Sequence, residues 1–170
     1  MGDRTDCVLR LFGFIHSDDI RHLAGVVEDA DEIQDIEKSL RDGNNHLPFL
    51  EINFANMDSQ MAKDLAALGL GWAWSWDAGH EFGSGIELYN PATDMHAEYE
   101  FNTKTDEILL PLGDVENPLM RDEARKWDTL MKRCKLRIYE SNHDFLEKVN
   151  SKDLSTEERQ IAKASKRAAA

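Results

Sequence analysis

The sequence predicts one α+β domain, a ferredoxin-like or related α/β sandwich. Its first half alternates short apolar segments with helical apolar spacing, and from Gly71 to Leu112 the apolar period becomes two. Helical spacing then returns. The predicted order is therefore β-α-α-β-α, a four-stranded antiparallel meander, and C-terminal helices. We assign residues 1–150 to this single domain and 151–170 to a polar helical tail.

The N-terminal half opens with a buried strand and two helices. The strand is Val8–Ile15, "VLRLFGFI", and Ser17 is the predicted N-cap of the first helix. The apolar stripe of Ile20–Val27 lies nearly opposite that of Ile33–Leu40 at about 100° per residue. One straight helix cannot bury both stripes, so we expect a break near Glu28–Asp31.

A second strand and a third helix precede the meander. Gly43 is the expected C-cap of the second helix, and Leu47–Phe54 reads as a strand. Asn56 or Asp58 caps the next helix, which ends at Gly69.

Four short strands follow at close spacing, with turn residues between them. Alternation of apolar with polar or small residues marks them. The predicted strands are Trp72–Trp76, Ile86–Leu88, Met95–Phe101 and Ile108–Leu112.

The C-terminal part predicts helices again. Trp127–Cys134 carries an apolar stripe, Leu136–Ile138 forms a short edge strand, and Asn142 caps a brief helix. Ser155 and Glu158 form a capping box. The last helix has one large apolar residue, so we expect it to lie on the surface or protrude.

Net charge is −13 and is unevenly spread. Residues 1–120 hold 24 acids and 7 bases, whereas residues 121–170 hold 9 acids and 13 bases. An acidic body repels nucleic acid and anionic membranes and attracts basic partners. No apolar run approaches a membrane span, and the two cysteines form no metal or disulfide pattern. We expect a soluble cytoplasmic protein.

The segment "EDADEIQDIE", residues 28–37, has six acids and no base. On a helix, four of its carboxylates fall within about a 100° arc, and like charges at i,i+3 and i,i+4 repel. This pattern favours either a solvated helix face or a docking face for a Lys/Arg-rich protein. The four residues are Glu28, Asp31, Glu32 and Asp35.

Three tryptophans, Trp72, Trp74 and Trp76, alternate with small residues in "GWAWSW". Such a row is typical of a core, because each ring buries on the order of 200 Å². A partner interface and a ligand platform are the alternatives. Acidic neighbours, among them Asp77 and Glu87, argue against stacking on nucleobases.

These observations predict a non-catalytic acidic binding protein with no cofactor or metal. We expect an inhibitor that docks on a basic nucleic-acid-binding surface of another protein or nucleoprotein complex. Phage or mobile-element anti-defence inhibitors and immunity proteins are the analogous class. Carboxylates would replace phosphates, and tryptophans would anchor the contact. The expected partner-binding residues are Glu28, Asp31, Glu32, Asp35, Trp72, Trp74 and Trp76.

Two other functions remain open at this point. The first is an enzyme or metal-binding protein with a site in the 77–100 hairpin region, built on His80, Glu81, His96 and Glu98. The second is a nucleic-acid-binding module that uses the basic C-terminal region and the tryptophans.

Overall fold

A computed structural model describes residues 4–27, 33–52, 57–79 and 82–169. Within these ranges the chain forms seven strands and seven helices. The strands are β1 Arg4–His16, β2 His46–Ile52, β3 Gly71–Trp76, β4 Gly85–Asn90, β5 Met95–Asn102, β6 Glu107–Leu109 and β7 Leu136–Tyr139. The helices are α1 Ile20–Val27, α2 Ile33–Arg41, α3 Ser59–Ala67, α4 Leu112–Val115, α5 Pro118–Arg133, α6 Asn142–Val149 and α7 Thr156–Ala169.

The strands form one open, mainly antiparallel sheet in the order β2-β1-β3-β4-β5-β6. The predicted α+β class and the meander β3 to β6 are confirmed. β7 lies off this path and pairs in parallel with β1. The ferredoxin-like topology is not confirmed, because β1 and β2 are antiparallel neighbours and do not form a parallel βαβ unit.

Two apolar clusters cover opposite faces of the sheet. The tryptophan core joins Leu9, Trp74 and their neighbours to side chains of α1, α2 and α3, such as Leu23 and Leu65. The second cluster, the α5 core, joins residues such as Ala73 to Trp127 and other side chains of α5. The sheet is therefore the middle layer of three. The small side chain of Ala73, between two tryptophans, leaves room for α5 on that side of the sheet.

Local signals account for most helix boundaries. α1 ends at Val27 and α2 begins at Ile33, so the two predicted helices are confirmed, while the break itself lies outside the described residues. Gly43 has φ 89° and its N–H bonds to the carbonyl of Leu40 at 3.0 Å, which makes it the expected C-cap. Asp58 caps α3 by accepting two backbone N–H groups at 2.9 Å.

Several local predictions are wrong. The His16 ring, and not Ser17, accepts the first N–H, and residues Ser17–Asp19 form a 3-10 turn before α1. Ser141, and not Asn142, caps α6. β6 ends at Leu109, so Leu112 starts a short helix instead of continuing the strand.

The last helix corrects a larger expectation. α7 packs against β1 and does not protrude. Ile161 and Ala162 are buried, and the buried Ser165 hydroxyl donates to the carbonyl of Gly69 at 3.2 Å. Besides Ile161, its buried side chains are Glu158, Ala162 and Ser165, which a search for large apolar side chains overlooks. No helix in the described ranges is both long and apolar enough to cross a membrane.

Candidate functional site: the acidic face of the sheet

The side chains on the tryptophan side of the sheet change from apolar to acidic across the strands. Cross-strand register sets Leu9, Trp74, Glu87 and Glu98 in one row over β1, β3, β4 and β5. Burial falls along this row, from Leu9 at 0% and Trp74 at 1% exposed to a half-buried Glu87 and an exposed Glu98. The helical layer thus covers the first strands of the row and leaves the later ones open.

Burial also falls along two further rows, although their last residues are not acidic. Trp72 pairs with Tyr89, which pairs with His96, and the exposed His96 ring lies 4.6 Å from the Tyr89 ring. In the third row, Trp76 lies opposite Gly85, followed by Glu100 and Leu109. On this side of β6, Glu107 lies opposite Asn102.

Four carboxylates consequently share one side of three neighbouring strands. We call this surface the acidic face; it consists of Glu87, Glu98, Glu100 and Glu107. Residues 85–117 contain eight acids and a single base, Lys104. None of these four carboxylates forms an ion pair with a Lys, Arg or His side chain among the described residues.

Glu87 shows the electrostatic consequence. Burial raises the pKa of the Glu87 carboxyl, and Glu98 directly opposite raises it further. A backbone N–H donated by Met57 acts in the opposite direction. The Glu87 charge is therefore poorly compensated inside the protein, because like charges directly opposite on adjacent strands repel.

Two depressions open on the acidic face. A hollow of about 300 Å³ has Trp72, Glu87, His96 and Glu98 among its lining residues. The Nε1–H of Trp72, although buried, has no hydrogen-bond partner among the residues that the structure describes. The second depression, which we call the hairpin groove, has a volume of about 620 Å³. Trp76, Phe82, Glu98, Glu100 and Leu109 line it.

The tryptophan row is part of the core. Trp72, Trp74 and Trp76 are 2%, 1% and 5% exposed and belong to the tryptophan core. The expectation that they serve as exposed anchors for a partner is corrected by this burial. Gly85 explains part of the packing, since a Cβ there would lie 2.3 Å from the Trp76 ring. The Trp76 Nε1–H donates to the carbonyl of Gly83 at 2.9 Å.

The acidic helix face can be placed only in part. Glu28, Asp31 and Glu32 lie outside the described residues, so their docking role stays a prediction. Asp35 is exposed in the first turn of α2. Further along this helix Arg41 pairs with Glu37 at 3.0 Å, so the end of the acidic run is locally compensated.

The residues of the two alternative functions are placed as follows. His96 and Glu98 are exposed on the acidic face, whereas His80 and Glu81 lie outside the described residues. No three His, Cys, Asp or Glu side chains in the described ranges converge as metal ligands would. In the basic C-terminal part, Arg125 and Lys132 pair with acids of their own helix, at 3.6 and 2.9 Å.

The acidic face was only partly foreseen. Alternation in the sequence puts His96, Glu98 and Glu100 on one side of β5, where a metal or acid–base site was only an alternative to the predicted binding function. The contribution of Glu87 depends on the β4–β5 register, which the sequence does not show.

Comparisons with protein-family models, with curated proteins and with solved structures found no match to the chain.

Proposed function

We propose that this protein is a non-catalytic binding protein that docks its acidic face on a basic, nucleic-acid-binding surface of another protein. The observation that carries the proposal is the group of four glutamates on one exposed side of three adjacent strands, with no Lys or Arg paired to them among the described residues. A row of carboxylates presents the closely spaced negative charge that such a surface binds in nucleic acid.

The energetics support a partner over a purely solvated surface. The Glu87–Glu98 pair costs stability in the isolated protein, since both charges repel and one is half-buried. A Lys or Arg from a partner would remove that repulsion and form charge-assisted hydrogen bonds with both carboxylates. Complementary charge would also speed association with a basic partner and weaken the binding of uncharged or acidic proteins.

We also propose a biological setting, in which the acidic face meets a partner of opposite charge. The partner is a basic protein or nucleoprotein complex that handles nucleic acid, and the encounter takes place in the cytoplasm. The protein then acts as an inhibitor of the anti-defence or immunity type found in phages and mobile elements. Direct binding of nucleic acid is disfavoured by the net charge of −13.

The test is affinity capture from native host lysate, followed by competition with nucleic acid. We expect the wild-type protein to capture a basic protein that elutes as salt rises, and DNA or RNA to displace the captured partner. A variant with Glu87, Glu98, Glu100 and Glu107 changed to Gln should lose the partner.

The matched control changes four exposed acids elsewhere to their amides: Asp122, Glu123, Glu147 and Asp153. It has the same net charge as the glutamine variant and should still capture the partner. The proposal is refuted if partner and nucleic acid bind at the same time, or if both variants lose binding equally.

A further inference from the structure

Exposed apolar side chains are concentrated in one stretch of the chain, which begins on the acidic side of the sheet at Leu109. Six large apolar residues are exposed in the described ranges, and four of them fall within residues 109–119. Leu112 is 91% exposed and Leu119 is 77% exposed. We call this group the leucine ridge; it consists of Leu109, Leu112, Val115 and Leu119. Exposed apolar residues scattered singly need no explanation, but a concentration of this kind marks an interaction surface.

Leu109 is the ridge residue that lies on the acidic side of the sheet. That residue lies opposite Glu100 on β6 and lines the hairpin groove together with Glu98 and Glu100. Trp76 and Phe82 supply further apolar surface to the groove. Apolar side chains and carboxylates therefore occur in one depression. Along the chain, the ridge continues from Leu109 into α4 and the first turn of α5.

From this arrangement we infer that the hairpin groove and the leucine ridge bind one amphipathic basic segment of the partner. Its apolar side chains contact Leu109, Leu112 and Leu119, and its Lys or Arg side chains contact Glu98 and Glu100. Charge complementarity selects this occupant, because Glu98 and Glu100 line the groove and its described lining includes no Lys or Arg. The inference rests on the proposed function and names the kind of partner surface that the acidic face recognises.

The leucines of the ridge act as the apolar anchors that the sequence predicted the tryptophans to be. Binding energy in protein interfaces concentrates in a few desolvated apolar anchors, with charged contacts around them. The tryptophans are at most 5% exposed, so even Trp76 offers little surface to the groove, whereas the leucines of the ridge are exposed. Apolar contact is also insensitive to the salt that screens charges, so the two contributions can be separated.

The test uses two synthetic peptides of identical Leu and Lys composition, each about five helical turns long. In one the leucines form a single helical face, and in the other they are spread around the helix. We expect the wild-type protein to bind the amphipathic peptide about tenfold more tightly, measured by fluorescence anisotropy. Changing Leu112→Ser together with Leu119→Ser should abolish this preference and leave salt-dependent binding of both peptides.

The matched control is Leu146→Ser, a half-exposed leucine on α6, which should keep the preference. Circular dichroism verifies that each variant is folded. Equal affinity of the wild type for the two peptides, binding of neither, or a preference that survives in the double leucine variant overturns the inference. The glutamine variant of the acidic face separates the two proposals. If this variant binds the peptide with leucines spread around its helix as tightly as the wild type does, the proposed docking of the acidic face on a basic surface fails. That result does not depend on the leucine variants.

Discussion

Glu87 lies at the boundary between the buried and the exposed part of the tryptophan side of the sheet. Burial and the opposing Glu98 raise the pKa of its carboxyl above the ordinary value of 4.5. A carboxyl whose pKa is raised by folding binds its proton more tightly in the folded state. The free energy of unfolding contributed by Glu87 therefore falls as pH rises from about 4.5 through the raised pKa.

A single substitution tests the coupling between these strands. Glu98→Gln should lower the pKa of Glu87, because it removes the like charge directly opposite. An NMR pH titration of the Glu87 side-chain carboxyl carbon measures the change. The control is Glu100→Gln, whose register partners are Gly85 and Leu109, and it should move that pKa much less. An unchanged Glu87 pKa in Glu98→Gln would show that the pair does not interact.

Among the elements, α7 illustrates how a helix with few large apolar residues is held. Its capping box is present as predicted: the Ser155 hydroxyl accepts the Glu158 N–H at 3.2 Å and the Glu158 carboxylate accepts the Ser155 N–H at 3.2 Å. The same buried carboxylate pairs with Arg137 of β7 at 3.1 Å. One residue thus starts the helix and ties it to the neighbouring strand.

The packing of α7 makes a prediction for stability. Ile161 is 1% exposed and belongs to the α5 core, so Ile161→Ala should lower the free energy of unfolding by about 2–5 kcal/mol. Urea unfolding followed by circular dichroism measures this. Gln160→Ala, next to it on the exposed side, is the control and should change stability little. Similar values for both variants would mean that α7 is not docked.

Elements with a strong local pattern were predictable from the sequence, and their arrangement was not. The meander follows from alternation, and the two helices before β2 follow from opposed apolar stripes. The placement of β1 between β2 and β3 depends on contacts between residues far apart in the chain, for which no local pattern exists. The acidic face needs the register of the β4–β5 and β5–β6 hairpins, which the sequence does not show, so only its β5 part could be anticipated.

At the scale of the whole molecule, negative charge is concentrated and partly uncompensated. A protein with a net charge of −13 repels itself in the compact state, and the acidic face adds a local contribution. The ordered core opposes this repulsion with two apolar layers on either side of the sheet. The stability of the folded protein should therefore depend on ionic strength, because salt screens the repulsion. The Debye length falls from about 30 Å at 0.01 M to about 8 Å at 0.15 M salt.

We accordingly expect the Tm to rise by about 2–4 °C when NaCl increases from about 0.01 to 0.15 M, a change that corresponds to about 1 kcal/mol in a domain of this size. Differential scanning calorimetry at neutral pH measures it. The variant with Gln at positions 87, 98, 100 and 107 should have a higher Tm at low salt and a smaller dependence on NaCl.

The control with amides at positions 122, 123, 147 and 153 also carries four fewer negative charges, so the two variants have the same net charge. Two of those acids have ion-pair partners, Arg125 for Asp122 and His143 for Glu147, and their removal offers less relief. If the two variants respond to salt alike, the repulsion belongs to the whole molecule and the acidic face has no excess of its own. A larger response to the four glutamates locates the uncompensated charge on the surface that we propose meets the partner.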